Sequence, residues 1–130
     1  MKIKIDWMMV AIAVLCVSAF AIGAINWSFK QDELNLQLAI TPEQQLKGLS
    51  GLSSMPENSG MLFVFKGEAI RCMWGKDMKF PVDVGFLDSS NRLINIATIP
   101  AGDTAPICSK RPAQEALEMN VGWFTKHKRT

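Results

Sequence analysis

Short stretches of alternating hydrophobic and polar residues recur along this chain, as is typical of half-buried β-strands. Residues 34–40 carry leucine or isoleucine at every even position. Residues 60–65 form a continuous apolar run bounded by glycines, which favours a buried strand. Further strands are predicted over residues 70–76, 80–87, 92–99 and 113–120.

A short helix is predicted to begin at Pro42 and to end near Leu49. Thr41 can cap the amide of Gln44 while the Gln44 side chain reaches back, and proline suits the first helical position. We expect Leu46 and Leu49 to face inward.

The order of these elements predicts a mainly β fold. The runs at 80–87 and 92–99 are joined by the polar turn 88–91, which indicates a hairpin. Residues 100–112 are expected to be irregular, and residues 121–126 could form a final helical turn. Because strands and helices do not alternate, a doubly wound parallel sheet is excluded. A compact antiparallel sandwich or barrel with one short helix at its edge is the best architecture.

The N-terminal segment predicts the compartment. Residues 7–25 contain no charge, close to the roughly 20 residues that a membrane-spanning helix needs. Lys2 and Lys4 outweigh Asp6 before this run. The positive-inside rule therefore keeps the N-terminus in the cytoplasm and places the rest of the chain outside.

Two outcomes remain open for this segment. A retained single-pass anchor is favoured because the run is longer than a typical signal-peptide core; the alternative is a signal peptide removed near Ala21, giving a secreted protein. Leu15 argues against lipoprotein attachment at Cys16. A further alternative is that residues 7–25 form an ordinary buried helix. Residues 1–29 are thus predicted to be an anchor or signal peptide with a short linker, and residues 30–130 a separate domain.

Composition narrows the possible functions. The chain has 130 residues, a formal net charge of +2 and 48% hydrophobic residues, which fits one small folded domain. So small a charge, with scattered basic residues, argues against nucleic-acid binding. A single histidine and the absence of paired cysteine or histidine clusters argue against structural zinc. We expect neither a metal nor a cofactor.

The three cysteines suggest one disulfide. Cys16 belongs to the apolar N-terminal run, which leaves Cys72 and Cys108 as an even pair in an oxidising compartment. A bridge between them would stabilise the domain by roughly 4 kcal/mol through chain entropy. The alternative is two buried free thiols.

Two segments, 60–65 and 72–83, resemble the DUF192 family. Residues 74–83 are similar to its W-M-K-N-x-x-x-P-x-D signature, with Gly75 where the family commonly has Met and Asp77 where it commonly has Asn. The resemblance extends from about Leu36 to Gly122 and includes Cys108. It also covers Thr41-Pro42-Glu43, Gly48-Leu49, Asp88 and Leu117-Glu118.

This resemblance implies a small, mainly β, jelly-roll-like domain of a bacterial or archaeal family of unknown function, often exported. It implies no chemistry that can be carried over.

The loop between two predicted strands carries the candidate ligand-binding residues Trp74, Lys76, Asp77 and Asp83. An ammonium beside a carboxylate on an aromatic floor could hold a sugar, a peptide end or another small polar ligand. The structural alternative is an ion pair between Lys76 and Asp83 that holds the loop, with Trp74 in the core.

Glu118 is the remaining candidate, expected to point to solvent or to the rim of the same cavity. Asp83 and Glu118 could form a two-carboxylate pair for glycoside hydrolysis, with Lys76 as electrostatic helper, if their carboxyl groups lie roughly 5 to 10 Å apart. His127 is expected to lie in a solvated tail.

Two functional hypotheses follow from these candidates. The first is a non-enzymatic binding or interaction module at the cell envelope, whose ligand contacts residues 74–83. The alternative is a hydrolase of envelope carbohydrate or peptide.

Overall fold

The computed structural model describes residues 33–127. Its elements, in chain order, are β1 (Asn35–Ala39), α1 (Pro42–Lys47), β2 (Ser59–Ala69), β3 (Cys72–Met73), β4 (Val82–Leu87), β5 (Leu93–Ile99), β6 (Ile107–Cys108), β7 (Ala113–Asn120) and α2 (Trp123–Lys126). Five strands form one sheet in the order β1-β2-β7-β4-β5, and β3 pairs with β6.

The prediction of a mainly β domain is confirmed, but the antiparallel sandwich or barrel is wrong. β1 runs parallel to β2 because α1 and the following loop return the chain to the edge where β1 began. The other pairs of the large sheet are antiparallel, so the sheet is mixed and open. Two short helices are present in the described residues, and the second, α2, lies within the helical turn predicted over residues 121–126.

The hydrophobic N-terminal helix predicted over residues 7–25 lies outside the described part of the chain. Among residues 33–127, no helix is both long and apolar enough to cross a membrane.

The start of α1 is the one that the sequence predicts. The Thr41 hydroxyl accepts a hydrogen bond from the amide of Gln44, and the Gln44 side chain accepts one from the amide of Thr41. Gln45 ties the helix to the sheet by donating through Nε2 to the carbonyl oxygens of Ala39 (3.2 Å) and Val64 (2.9 Å). Backbone acceptors of β1 and β2 thereby hold α1 in position.

The large sheet separates the core into two apolar layers, since neighbouring residues of a strand point to opposite faces of a sheet. One layer contains Phe63, Val84, Phe86 and Ala116. The other contains Leu62, Leu117 and Met119, covered by Trp123 and Phe124 of α2.

The β3–β6 pair lies against the first layer. Cys72 stands opposite Cys108, and a disulfide with an S–S distance of 2.05 Å joins them, as expected from the cysteine count. Met73 is buried in the first layer. The strand predicted over residues 70–76 is therefore shortened to two residues, and the region expected to be irregular contributes its partner.

His127 is ordered against α2, contrary to the prediction of a solvated tail. Its ring stacks on Trp123 with centroids 4.3 Å apart, and its Nδ1 lies 2.8 Å from the Trp123 carbonyl oxygen. Trp123 is the first residue of α2 and His127 follows its last, so a single helical turn brings the imidazole onto the indole.

Candidate functional site

A cleft with a volume of about 290 Å³ opens beside the end of α1. Residues of α1, β2, β7 and the segment beginning at β3 line it. We call it the Glu118 cleft; its lining includes residues 45–50, Phe63, Phe65, Cys72, Met73, Trp74, Lys76, Met78 and Glu118.

Glu118 lies at the floor of this cleft and is only 2% exposed. Its cross-strand neighbours are Met61 on β2 and Val84 on β4, both buried and apolar. Within residues 33–127 its carboxyl makes no hydrogen bond and no ion pair. Burial without a partner penalises the charged form and raises the pKa of Glu118 to about 8.

Glu118 therefore does not point to bulk solvent; the alternative expectation, that it faces the cavity, fits the structure. Apolar layers cover both faces of this sheet at β7, so a polar residue in its alternating pattern need not be exposed.

The loop after β3 is fixed by backbone contacts around Gly75. The Gly75 amide donates to the Asp103 carbonyl, and the Gly102 amide donates to the Gly75 carbonyl, each at 2.8 Å. A Cβ atom at position 75 would lie 2.0 Å from the carbonyl oxygen of Pro100. Glycine is required here because another strand-connecting loop approaches so closely.

This loop places Trp74 and Lys76 on the cleft and leaves Asp77 out of it. Trp74 is 47% exposed and forms part of one wall, so it is not a core residue. Asp77 is exposed and has φ of 59°, a left-handed conformation that Asp and Asn tolerate better than most residues.

Asp83 lies on the opposite face of the sheet from Glu118. Asp83 pairs with Met119 and Val84 pairs with Glu118, and directly paired residues share a face. Asp83 accepts hydrogen bonds from the Thr98 hydroxyl at 2.6 Å and from the Gly122 amide at 2.8 Å. It joins β4, β5 and the turn before α2.

Two sequence expectations are corrected by this placement. Asp83 and Glu118 do not converge, so the carboxylate pair required for the predicted hydrolysis is absent. Lys76 and Asp83 do not form an ion pair either, since the salt bridges among the described residues are Asp88–Arg92 and Glu57–Lys126. The alternation of β4 sends Asp83 away from the cleft.

Sequence reasoning missed the wall formed by Phe63, Phe65 and residues 45–50. The available signal was the period of two along β2, which places Phe63 and Phe65 on the same face as Met61. Leu46, predicted to face inward, is 75% exposed at the rim because α1 turns Gln45 towards the sheet instead.

A second cavity of about 250 Å³ lies between β1 and the loop that precedes β2. Its lining includes Asn35, Gln37 and Ser54 but no charged side chain. In residues 33–127, no three His, Cys, Asp or Glu side chains cluster as metal ligands would. The Glu118 cleft, which combines aromatic walls with a buried titratable group, is the stronger candidate.

A family model matches residues 25–129, under the name DUF192 and the description "Uncharacterized ACR". The chain belongs to the DUF192 family. This confirms the resemblance seen in residues 74–83. No curated protein matches the chain.

Two crystal structures resemble this DUF192 domain. One, described as a "putative transcription regulator" from Sinorhizobium meliloti 1021, is 30% identical with a TM-score of 0.72, covering 75% of this chain and 76% of the other. The other, a protein of unknown function from Novosphingobium aromaticivorans DSM 12444, is 26% identical with a TM-score of 0.71, covering 75% and 70%.

The position of Asp83 predicts a structural role. Asp83→Ala should lower the free energy of unfolding by about 1 to 3 kcal/mol, because the Gly122 amide and the Thr98 hydroxyl lose their acceptor. Thr98→Val, which removes one of the two bonds, should cost less. Urea denaturation measures both effects, and an Asp83→Ala domain of unchanged stability would contradict this role.

The burial of Glu118 predicts a pH-dependent stability. Between pH 4.5 and about 8 the folded state keeps a proton that the unfolded state releases, so stability falls as the pH rises through this range. Glu118→Gln should remove this fall and stabilise the domain by a few kcal/mol above pH 8. Denaturation curves across this range test it, with Glu115→Gln as the control on the same strand; equal pH profiles for wild type and Glu118→Gln would refute it.

Proposed function

We propose that this protein is a non-enzymatic binding module of the cell envelope whose ligand occupies the Glu118 cleft. One observation carries the proposal: a buried carboxyl that has no partner in the described part of the chain forms the floor of a cleft with aromatic walls. Small-molecule sites are mostly apolar concavities with a few polar groups that fix the orientation of the ligand.

The lining of the cleft favours binding over hydrolysis. Of the residues that the structure describes, the titratable ones in this lining are Glu118, Lys47 and Lys76, and they include no second carboxylate to activate water or to attack a sugar. Cys72 is held in its disulfide and offers no free thiol. The remaining lining supplies contact area and orientation.

The envelope location is supported by two independent features. The uncharged run 7–25 follows Lys2 and Lys4, as in a segment that is inserted with its N-terminus in the cytoplasm. The disulfide between the exposed residues Cys72 and Cys108 is of the kind that persists in oxidising compartments. We propose a retained anchor, with secretion after cleavage near Ala21 as the alternative.

The binding proposal predicts a local spectroscopic response. A panel of small aromatic, sugar, carboxylate and amine compounds, added separately to the full chain, should contain members that shift the Trp74 indole NMR signal in a saturable way. The Trp123 indole, which donates to Asn58 away from the cleft, is an internal control and should not move. Trp74→Phe assigns the signal.

Two matched variants locate the site. Leu46→Ser at the rim should weaken binding by about threefold or more, because apolar contact area is lost. Leu38→Ser, which changes a similarly exposed leucine outside the cleft, should not. Equal effects of the two variants, or no saturable shift with any compound, would exclude the cleft as the binding site.

The location proposal predicts the mass and redox state of the native protein. Non-reducing mass analysis of the protein from the membrane fraction should give the intact chain, lighter by two hydrogens for the bridge between Cys72 and Cys108. A shortened chain in the medium would instead support cleavage near Ala21. An intact and fully reduced chain recovered from cytosol would overturn the envelope location.

A further inference from the structure

The carboxyl of Glu118 is open to the cleft, although the residue is almost fully buried. Among residues 33–127, Glu115 Oε2 is the one side-chain polar atom that is both sealed from solvent and unbonded. The Glu118 oxygens also lack a partner, so they must retain contact with the cleft space. A buried polar group that the protein leaves unsatisfied calls for a partner from outside.

The walls beside Glu118 suit an organic cation. Phe63, Phe65 and Trp74 all line the cleft, and aromatic faces attract ammonium groups. The guanidinium carbon of Arg71 lies 4.4 Å from the centroid of the Phe65 ring, so a cation of the protein already occupies one face of this ring, and Phe63 and Trp74 are the other rings that line the cleft. Aromatic faces around a carboxylate stabilise an ammonium by charge and by ring electrostatics together.

The other charged residues of the lining are positive. Lys47 and Lys76 both line the cleft and both are exposed, which places their ammonium groups on the solvent side of Glu118. A simple cation would meet this positive field on entry, whereas an anionic group would be attracted by it. The charges therefore complement a molecule that has an ammonium at its inner end and an anion at its outer end.

We propose that the Glu118 cleft binds a small zwitterion, a primary amine joined by a short apolar chain to a carboxylate, with the ammonium against Glu118 and the carboxylate near Lys47 and Lys76. This inference rests on the proposed binding function and names the class of ligand for the same site. The aromatic walls would pack against the apolar chain.

Binding of this ligand is coupled to a proton. Without ligand, burial raises the pKa of Glu118 to about 8, so the carboxyl is mostly protonated at neutral pH. The neighbours on β2 and β4 are Met61 and Val84, which do not titrate. Among residues 33–127, the other titratable side chains that line the cleft are Lys47 and Lys76, and the charged Arg71 lies behind the wall against Phe65. An incoming ammonium favours the carboxylate, so Glu118 releases its proton to solvent while the ligand keeps its own.

The test compares three six-carbon probes, ε-aminocaproate, hexylamine and caproate, added to the full chain at neutral pH. The Trp74 indole signal reports affinity, and calorimetry in two buffers of different ionisation enthalpy counts the protons released. We expect ε-aminocaproate to bind tightest and to release close to one proton per molecule bound.

Three variants make the test specific. Glu118→Gln should lower the affinity for ε-aminocaproate tenfold or more and abolish proton release, because a charge-assisted hydrogen bond is lost. Glu115→Gln, the same change on the other face of β7, should do neither. Lys76→Met should weaken ε-aminocaproate and strengthen hexylamine.

Failure of the ligand class and failure of the binding function give different results. Two results would overturn the zwitterionic ligand but leave the cleft as a ligand site. One is that caproate binds as tightly as ε-aminocaproate, and the other is that Glu118→Gln and Glu115→Gln have equal effects. The zwitterionic ligand class alone is also excluded if none of the three probes shifts the Trp74 indole signal while other compounds of the panel do. If neither the probes nor any compound of the panel shifts this signal, the binding function is excluded as well.

Discussion

The position of β7 at the centre of the sheet is the constraint from which the site follows. Its hydrogen bonds to β2 on one side and β4 on the other cover both edges, and apolar layers cover both faces. Five of the eight residues of β7 are therefore buried, and one of them, Glu118, lies opposite Met61 and Val84. A carboxyl in that position is tolerated when it stays protonated or when a cavity gives it a partner.

The surrounding structure keeps this cavity open. Gln45 ties α1 to carbonyl oxygens of β1 and β2, which fixes one wall. The backbone bonds of Gly75 and the disulfide of Cys72 fix the opposite wall. Both walls are therefore held by bonds that do not involve Glu118, so the cleft does not depend on the ionisation state of its floor.

Local patterns predicted most of the secondary structure but not the way it assembles. The alternation of residues 34–40 and the capping residues Thr41 and Gln44 report interactions within a few residues, and the predicted strand and helix cap are both present. The predicted buried face of β1 is wrong at its end, because Leu38 and Ile40 are exposed while Ala39 is buried. The parallel pairing of β1 with β2 depends on contacts between distant residues, which no local pattern contains. The resemblance to DUF192 was likewise readable from residues 74–83, because that signature is continuous in the sequence.

The sequence predicted only part of the candidate site, because the pairing of distant strands also decides which side chains line it. Trp74 and Lys76 lie on the cleft as expected of that loop, whereas Asp83 belongs to the other face because the register of β4 with β7 pairs it with Met119. The close approach of Pro100 favours glycine at position 75 in this chain. The left-handed backbone at position 77 suits the family's Asn as well as Asp77 and does not explain that departure.

The central claim is that Glu118 is a buried carboxyl with no partner among residues 33–127. Its most direct test is an NMR titration of the side-chain carboxyl carbon of Glu118 in the full chain without ligand. A midpoint near pH 8 is the result that the structure predicts. A midpoint near the ordinary glutamate value of 4.5 would contradict it, because the charged carboxylate would then be as stable in the folded protein as in bulk water.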